Sequence, residues 1–272
     1  MLTPSAPPVP DPAGAWRQWL EAWAIPDDIL RAAPESPWGF SPRMFERAAE
    51  KAMADVDPSP SRRRALDALG RGGSVLDVGA GAGAASLPLV PPAEPITAVD
   101  ESGPMLESFA AAAERLGVEH REILGRWPDV APRVPVCDVV VCHHVLYNVA
   151  ALEPFAQALD AHARRRVVVE LSAAHPQSDL SPLWKEIHGL DRPQGPSASD
   201  ALAVLASMGF DVGWESFTRP TLWEGVPLAE RVAFARRRLC TGPEHDELIE
   251  EYLVAHGDLG SRCTVTLWWD VG

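Results

Sequence analysis

Residues 75–83 read Val75-Leu76-Asp77-Val78-Gly79-Ala80-Gly81-Ala82-Gly83. A short apolar run with one acid inside it breaks into three glycines at alternate positions. Such a run, bounded by a turn, predicts a buried strand, and the glycines predict a backbone that takes conformations other residues resist. They also remove the Cβ atoms that would hold a ligand away from the chain. Reading outward, PITAVD (95–100), EHREIL (119–124), CDVVVCHHV (137–145) and RRVVVELS (165–172) repeat the apolar signature. Helical stretches separate them: a short one in AASLPLV (84–90), limited by Pro88, one from Pro104 to about Leu116, and one from near Leu152. Strands alternating with helices at this spacing predict right-handed crossovers and a parallel sheet covered on both faces. The last third adds a helix at 199–208, a strand at about 211–218, helices at 227–239 and 243–255, and a strand at 263–271. That closing strand suits an inserted antiparallel position.

In an open parallel sheet, the turn after the first strand lies at the carboxyl edge, where ligands bind. Asp100 ends the second strand, 19 residues beyond Gly81, the spacing at which a carboxylate takes ribose hydroxyls. By glycines alone the ligand is open, since Gly79, Gly81 and Ala84 also satisfy the looser dinucleotide fingerprint. Asp77 separates the two readings. A carboxylate two residues before the first glycine would repel a pyrophosphate in a partly desolvated site, yet suits an ammonium or a sulfonium.

With these residues in place the sequence resembles the class I S-adenosylmethionine-dependent methyltransferases over roughly residues 70–272. Asp77, Gly79, Gly81 and Gly83 stand as the first motif, Val99-Asp100-Glu101-Ser102 with Met105 as the second, and Asp138 to His144 as the strand-four motif. The resemblance implies an α/β, Rossmann-like, seven-stranded, mostly parallel sheet in the order 3-2-1-4-5-7-6, with strand seven antiparallel. It further implies that the three glycines line the methionine part of S-adenosylmethionine, that Asp77 helps hold its amino group, and that Asp100 grips the ribose. Glu101, Met105 and Cys142 would lie along the same cofactor site. The family's frequent acid after strand three is replaced here by Gly125-Arg126-Trp127, so Trp127 is a candidate to stack on the base. Methyl transfer from a sulfonium needs alignment, exclusion of water and sometimes removal of a proton. His143, His144 and Tyr147, at the edge after strand four, are the candidates for that proton.

The rest of the chain bounds the partner. With 24 Lys+Arg against 38 Asp+Glu the net charge is −14, which argues against a partner held by its phosphate backbone. No Asn/Asp-Pro-Pro-aromatic run follows strand four, and no acids at that edge await a metal. Four cysteines form no metal or disulfide spacing. No stretch approaches 18 apolar residues, so no membrane partner is expected and a cytoplasmic location is. A small-molecule acceptor remains. Residues 1–14 read as a Pro-rich disordered tail and 15–70 as an N-terminal helical cap, with Trp38 and Phe40 in a lid loop. Residues 71–272 read as the S-adenosylmethionine-binding domain, with a helical insert at about 227–255. In the cap, Trp16, Trp19 and Trp23 fall at helical spacing, which favours core packing. Two other functions share the features: an NAD(P)-dependent oxidoreductase, supported by Gly79, Gly81 and Ala84, and a non-catalytic cofactor-binding module.

Overall fold

A computed structural model describes residues 11–38, 42–221, 224–256 and 261–272. Seven strands make one sheet: β1 (Gly73–Val78), β2 (Ala93–Asp100), β3 (His120–Leu124), β4 (Cys137–His143), β5 (Ala163–Ser172), β6 (Gly213–Pro220) and β7 (Ser261–Asp270). Their order is β3-β2-β1-β4-β5-β7-β6. The first five pair in parallel, and β7 runs antiparallel between β5 and β6. The sheet therefore has the order and the antiparallel strand that the sequence led us to expect.

The central strands are Val-rich because both of their faces are covered. On one face Leu76, Val78, Val140, Cys142, Val167, Val169, Val265, Leu267 and Trp269 form a core. It is roofed by α6 (Leu152–Ala161), α8 (Ala198–Ser207) and, from the other end of the chain, α1 (Pro12–Ala22). Trp16 of α1 is wholly buried there, and its indole N–H donates to Val149 O over 2.8 Å. Trp23, just past α1, is also buried, whereas Trp19 is partly exposed. The helical tryptophan stripe is thus largely core.

On the opposite face Val75, Ile96, Ala98, Val139, Val141 and Val168 pack under α4 (Pro60–Leu69) and α5 (Gly103–Leu116). The chain after the glycines makes only turns and a three-residue 3-10 helix, Leu87–Leu89. Pro88, Pro91 and Pro92 remove the N–H groups an α-helix needs, so the short helix expected over 84–90 does not form. The place beside that turn is filled by α3 (Pro42–Ala54), which packs on both the 3-10 turn and α5.

A third cluster joins α7 (Ser181–His188), α9 (Leu228–Arg238) and α10 (Asp246–Ala255) through Leu183, Trp184, Val232, Leu239, Ile249 and Leu253. Ile25, Ile29 and Leu30, of or next to α2 (Asp27–Ala32), pack against it. The sequence pattern gave no helix at 181–188, because Pro182 lies in a Pro-rich stretch; Pro there occupies the first turn, where its missing N–H costs nothing. α7 follows β5, and α9 and α10 follow β6, which runs parallel to β5. These helices therefore leave the sheet at its carboxyl edge. No described helix is long and apolar enough to cross a membrane.

Candidate active site

The carboxyl edge brings two contrasting turns together. At the first, Gly79, Gly81 and Gly83 take φ values of 74°, 52° and 89°. A Cβ on Gly79 would meet Val145 Cγ2 at 2.3 Å, whereas one on Gly81 would find only Phe45 Cδ1, at 3.7 Å. Gly81 is the point where the backbone is bare and has room beside it. Its N–H donates to Asp100 Oδ2 over 2.9 Å, and Asp100 Oδ1 accepts from Ser102 N over 2.9 Å. The acid that ends β2 is thereby tied to the glycine turn.

Asp77 lies under that turn, wholly buried in β1. Ser86 Oγ donates to its Oδ2 over 2.6 Å, while Oδ1 has no partner among the described residues. Burial pushes the carboxyl up to about 7, with the nearby Asp100 adding to the rise. A buried oxygen left without a donor is costly unless a ligand or water supplies one. Asp77, Asp100 and the glycines thus fit a ligand that brings an ammonium to one acid and hydroxyls to the other.

The second turn follows β4. His143 is partly buried, its enclosed ring nitrogen Nε2 without a partner among the described residues, and burial pushes its imidazole down to about 4. His144 takes φ 59°, rare for a residue with a side chain, and is half exposed. Its backbone N–H donates to Glu170 O over 2.6 Å, and its Nε2 lies 3.1 Å from Glu170 Oε1. Val145 then crosses onto Gly79. Tyr147 is turned inward: its hydroxyl donates to Ser172 O over 2.7 Å and its ring stacks on Trp16. Burial pushes its phenol well up.

The remaining sequence candidates are spread around this edge. Met105 is buried in the first turn of α5, and Glu101 is exposed after β2. Cys142 is buried in β4, where burial raises its thiol. Trp127 sits in the core against α6, its indole N–H donating to Phe155 O over 3.4 Å and its ring against the His162 edge. Trp38 is 60% exposed, and Phe40 lies outside the described residues. Among the described residues no cluster of His, Cys, Asp and Glu is arranged to hold a metal. The pattern reading passed over Ser86 and Glu170. The signal for Glu170 was available, because an acid inside the run Val167-Val168-Val169-Glu170-Leu171 must be buried and so must have partners.

Residues 76–169 match the family model described as a methyltransferase domain. No curated protein matches the chain. Among solved structures, the chain is similar to the cyclopropane-fatty-acyl-phospholipid synthase-like protein of Lactobacillus casei, with 14% identity and a TM-score of 0.57 over 90% of this chain and 98% of that one. It is similar to the YcgJ protein of Bacillus subtilis, with 16% identity and a TM-score of 0.53 over 78% and 97%. It is also similar to a SAM-dependent methyltransferase of Thiobacillus denitrificans in complex with S-adenosyl-L-homocysteine, with 21% identity and a TM-score of 0.50 over 85% and 100%. At such identities the likeness is one of fold, and the family match supplies the rest. Residues 76–169 thus match a methyltransferase domain, and they are carried on a Rossmann-like sheet that the chain shares with these structures.

Proposed function

We propose that the protein transfers the methyl group of S-adenosylmethionine to a small-molecule acceptor. The observation that carries this reading is the unpartnered, buried Asp77 oxygen beneath three glycines held at positive φ. A donor bearing an ammonium and a sulfonium supplies the positive charge that this acid lacks, whereas a diphosphate would oppose it. Asp100, at the end of the neighbouring strand, would take the ribose hydroxyls, and Met105 would offer an apolar side chain from the next helix. The bound donor supplies an activated methyl group with a neutral thioether as leaving group. The protein's part is then to align the acceptor, keep water out and manage the proton. Trp38, α2 and the helices α7, α9 and α10 are the candidates for covering the acceptor, and a chain carrying a net charge of −14 is ill suited to nucleic acid. Four free thiols, three of them buried, suit a reducing, cytoplasmic location.

Calorimetry on the full chain tests this directly. S-adenosylmethionine and S-adenosylhomocysteine are expected to bind at micromolar concentration, and NAD is not. Binding of NAD alone would reverse the assignment. Transfer of label from methyl-labelled donor to a metabolite panel then separates an enzyme from a mere cofactor-binding module.

A further inference from the structure

The polar cluster on the α4 face of β4, β5, β6 and β7 is not needed to hold the donor. Glu170 is wholly buried at its centre. Ser61 of α4 donates to Oε2 over 2.6 Å, with Thr266 Oγ1 of β7 a further 2.6 Å behind that hydroxyl. Arg219 of β6 pairs with Oε1, the same oxygen that His144 Nε2 approaches to 3.1 Å. Facing groups thus come from every neighbouring element: Ser61, His143, His144, Arg219 and Thr266. The hydrogen bond from His144 and the Arg219 guanidinium hold the Glu170 carboxyl well below its ordinary range, so it accepts hydrogen bonds and does not donate one.

We infer that Glu170 is a positioning residue that fixes neutral His144 with its proton on Nε2 and its lone pair on Nδ1, making His144 the base for a protic acceptor. This rests on the methyl-transfer reading of the site. An acceptor-only carboxylate at Nε2 leaves the ring one good tautomer, with the proton between Nε2 and Oε1. The other ring nitrogen is then free on a side chain that is half exposed. The backbone supports the same role. At φ 59° glycine would be less strained, yet this turn carries a histidine and is pinned on both sides, by its own N–H to Glu170 O and by Val145 against Gly79. The imidazole is therefore held beside β5 at the carboxyl edge, one strand over from the glycine turn. His143 lies on the same face as Glu170, but burial pushes its imidazole down to about 4 and makes it the weaker base.

The acceptor class follows from the chemistry. A nucleophile that is already anionic needs no base, so a built base implies a hydroxyl or N–H acceptor that must lose its proton. In the step, an acceptor lone pair forms the new bond to the methyl carbon as the sulfur–methyl bond breaks. Its electron pair stays on sulfur as a neutral thioether, and the acceptor proton passes to His144 Nδ1, leaving an imidazolium facing Glu170.

Two measurements on the full chain test this. The first is long-range proton–nitrogen NMR on histidine-labelled protein with S-adenosylhomocysteine bound, His144 being assigned by the signal lost in His144→Gln. The Nε2–H tautomer is expected for neutral His144, and mixing with the Nδ1–H form in Glu170→Gln; an Nδ1–H tautomer in the unaltered protein overturns the inference. The second uses labelled donor and phenols of graded acidity as acceptor probes. His144→Gln and Glu170→Gln are expected to slow methylation of phenol itself about 10²-fold. The penalty should shrink toward onefold for a nitrophenol already ionised at the assay pH. A penalty equal across the series, or an unaltered protein that binds donor but methylates only the ionised probe or none, overturns it. Both variants should keep the donor Kd within about twofold, which excludes misfolding, and His144→Gln, at a half-exposed site, carries the test if Glu170→Gln does not fold. Failure of the unaltered chain to bind either nucleoside instead removes the methyl-transfer reading, and is seen before any variant is made.

Discussion

Two fully buried carboxylates lie on the same face of the sheet near its carboxyl edge, Asp77 in β1 and Glu170 in β5, and their surroundings are opposite. Asp77 has one partner, Ser86, and an oxygen with none; burial raises it to about 7. Glu170 has Ser61, His144 and Arg219, and is held well down. A fold can bury a charge cheaply only by satisfying it. Glu170 is satisfied within the chain and belongs to the architecture of the site. Asp77 is not, and in the proposed function the donor is the partner it lacks.

The sharpest way to break that contrast is truncation. Glu170→Ala leaves Arg219 without its buried counter-charge and Ser61 without its acceptor, and is expected to cost about 3–5 kcal/mol of stability by urea unfolding. Asp77→Asn removes a charge that has no cationic partner. It should leave the apo protein as stable or more so at pH 8, while weakening S-adenosylmethionine binding at least tenfold, about 1.4 kcal/mol. Equal losses of stability from both changes would mean that Asp77 has a partner in the folded chain after all.

Next in size is the pH dependence, where the two acids have opposite signs. Asp77 titrates higher in the folded chain than its ordinary 3.8, so its favourable contribution is present below about pH 4 and lost as pH rises toward about 7. Glu170 titrates lower than its ordinary 4.5, so its contribution is present above that value and lost as pH falls below it. The midpoint of thermal unfolding of the apo protein should therefore fall between pH 5 and 8, and Asp77→Asn should flatten that slope. Donor affinity should rise over the same window, because binding an ammonium to Asp77 below pH 7 must first release a proton. An affinity independent of pH from 5 to 8 would detach Asp77 from the donor.

How much of this was legible in the sequence follows from the same physics. The sheet was legible because Val139 to Val141 and Val167 to Val169, apolar on successive residues, have no stable place except a strand covered on both faces. The glycine turn and Asp77 were legible because a motif at a strand end carries its own geometry. What pattern reading missed was set by contacts distant in sequence. Glu170 and His144 are 26 residues apart, and only the β4–β5 register places His143 beside Glu170. Likewise α3 takes the place of a helix that the prolines after Gly83 prevent, which local propensity cannot show. β4 stops at His143 rather than running to Val145 for a local reason that is equally hidden: the positive φ of His144.

The smallest expected effects separate the glycines of the turn, and they sharpen the contrast between architecture and cradle within nine residues of sequence. Gly79→Ala adds a Cβ that collides with Val145 at a φ of 74°, so both strain and packing resist it. A loss of about 2–3 kcal/mol is expected. Gly81→Ala meets only Phe45 at ordinary contact distance, so the φ of 52° alone acts, costing about 1 kcal/mol. For the donor the ranking inverts. The space beside Gly81 is where the backbone lies open, and a methyl group placed there should weaken S-adenosylmethionine binding more than the change in stability accounts for. Gly79→Ala, whose added carbon points at Val145, should weaken binding only as far as it disturbs the turn. Comparing Tm and calorimetric Kd for the two variants reads this directly, and a Gly81→Ala protein that binds donor like the unaltered chain would move the cradle away from the second glycine.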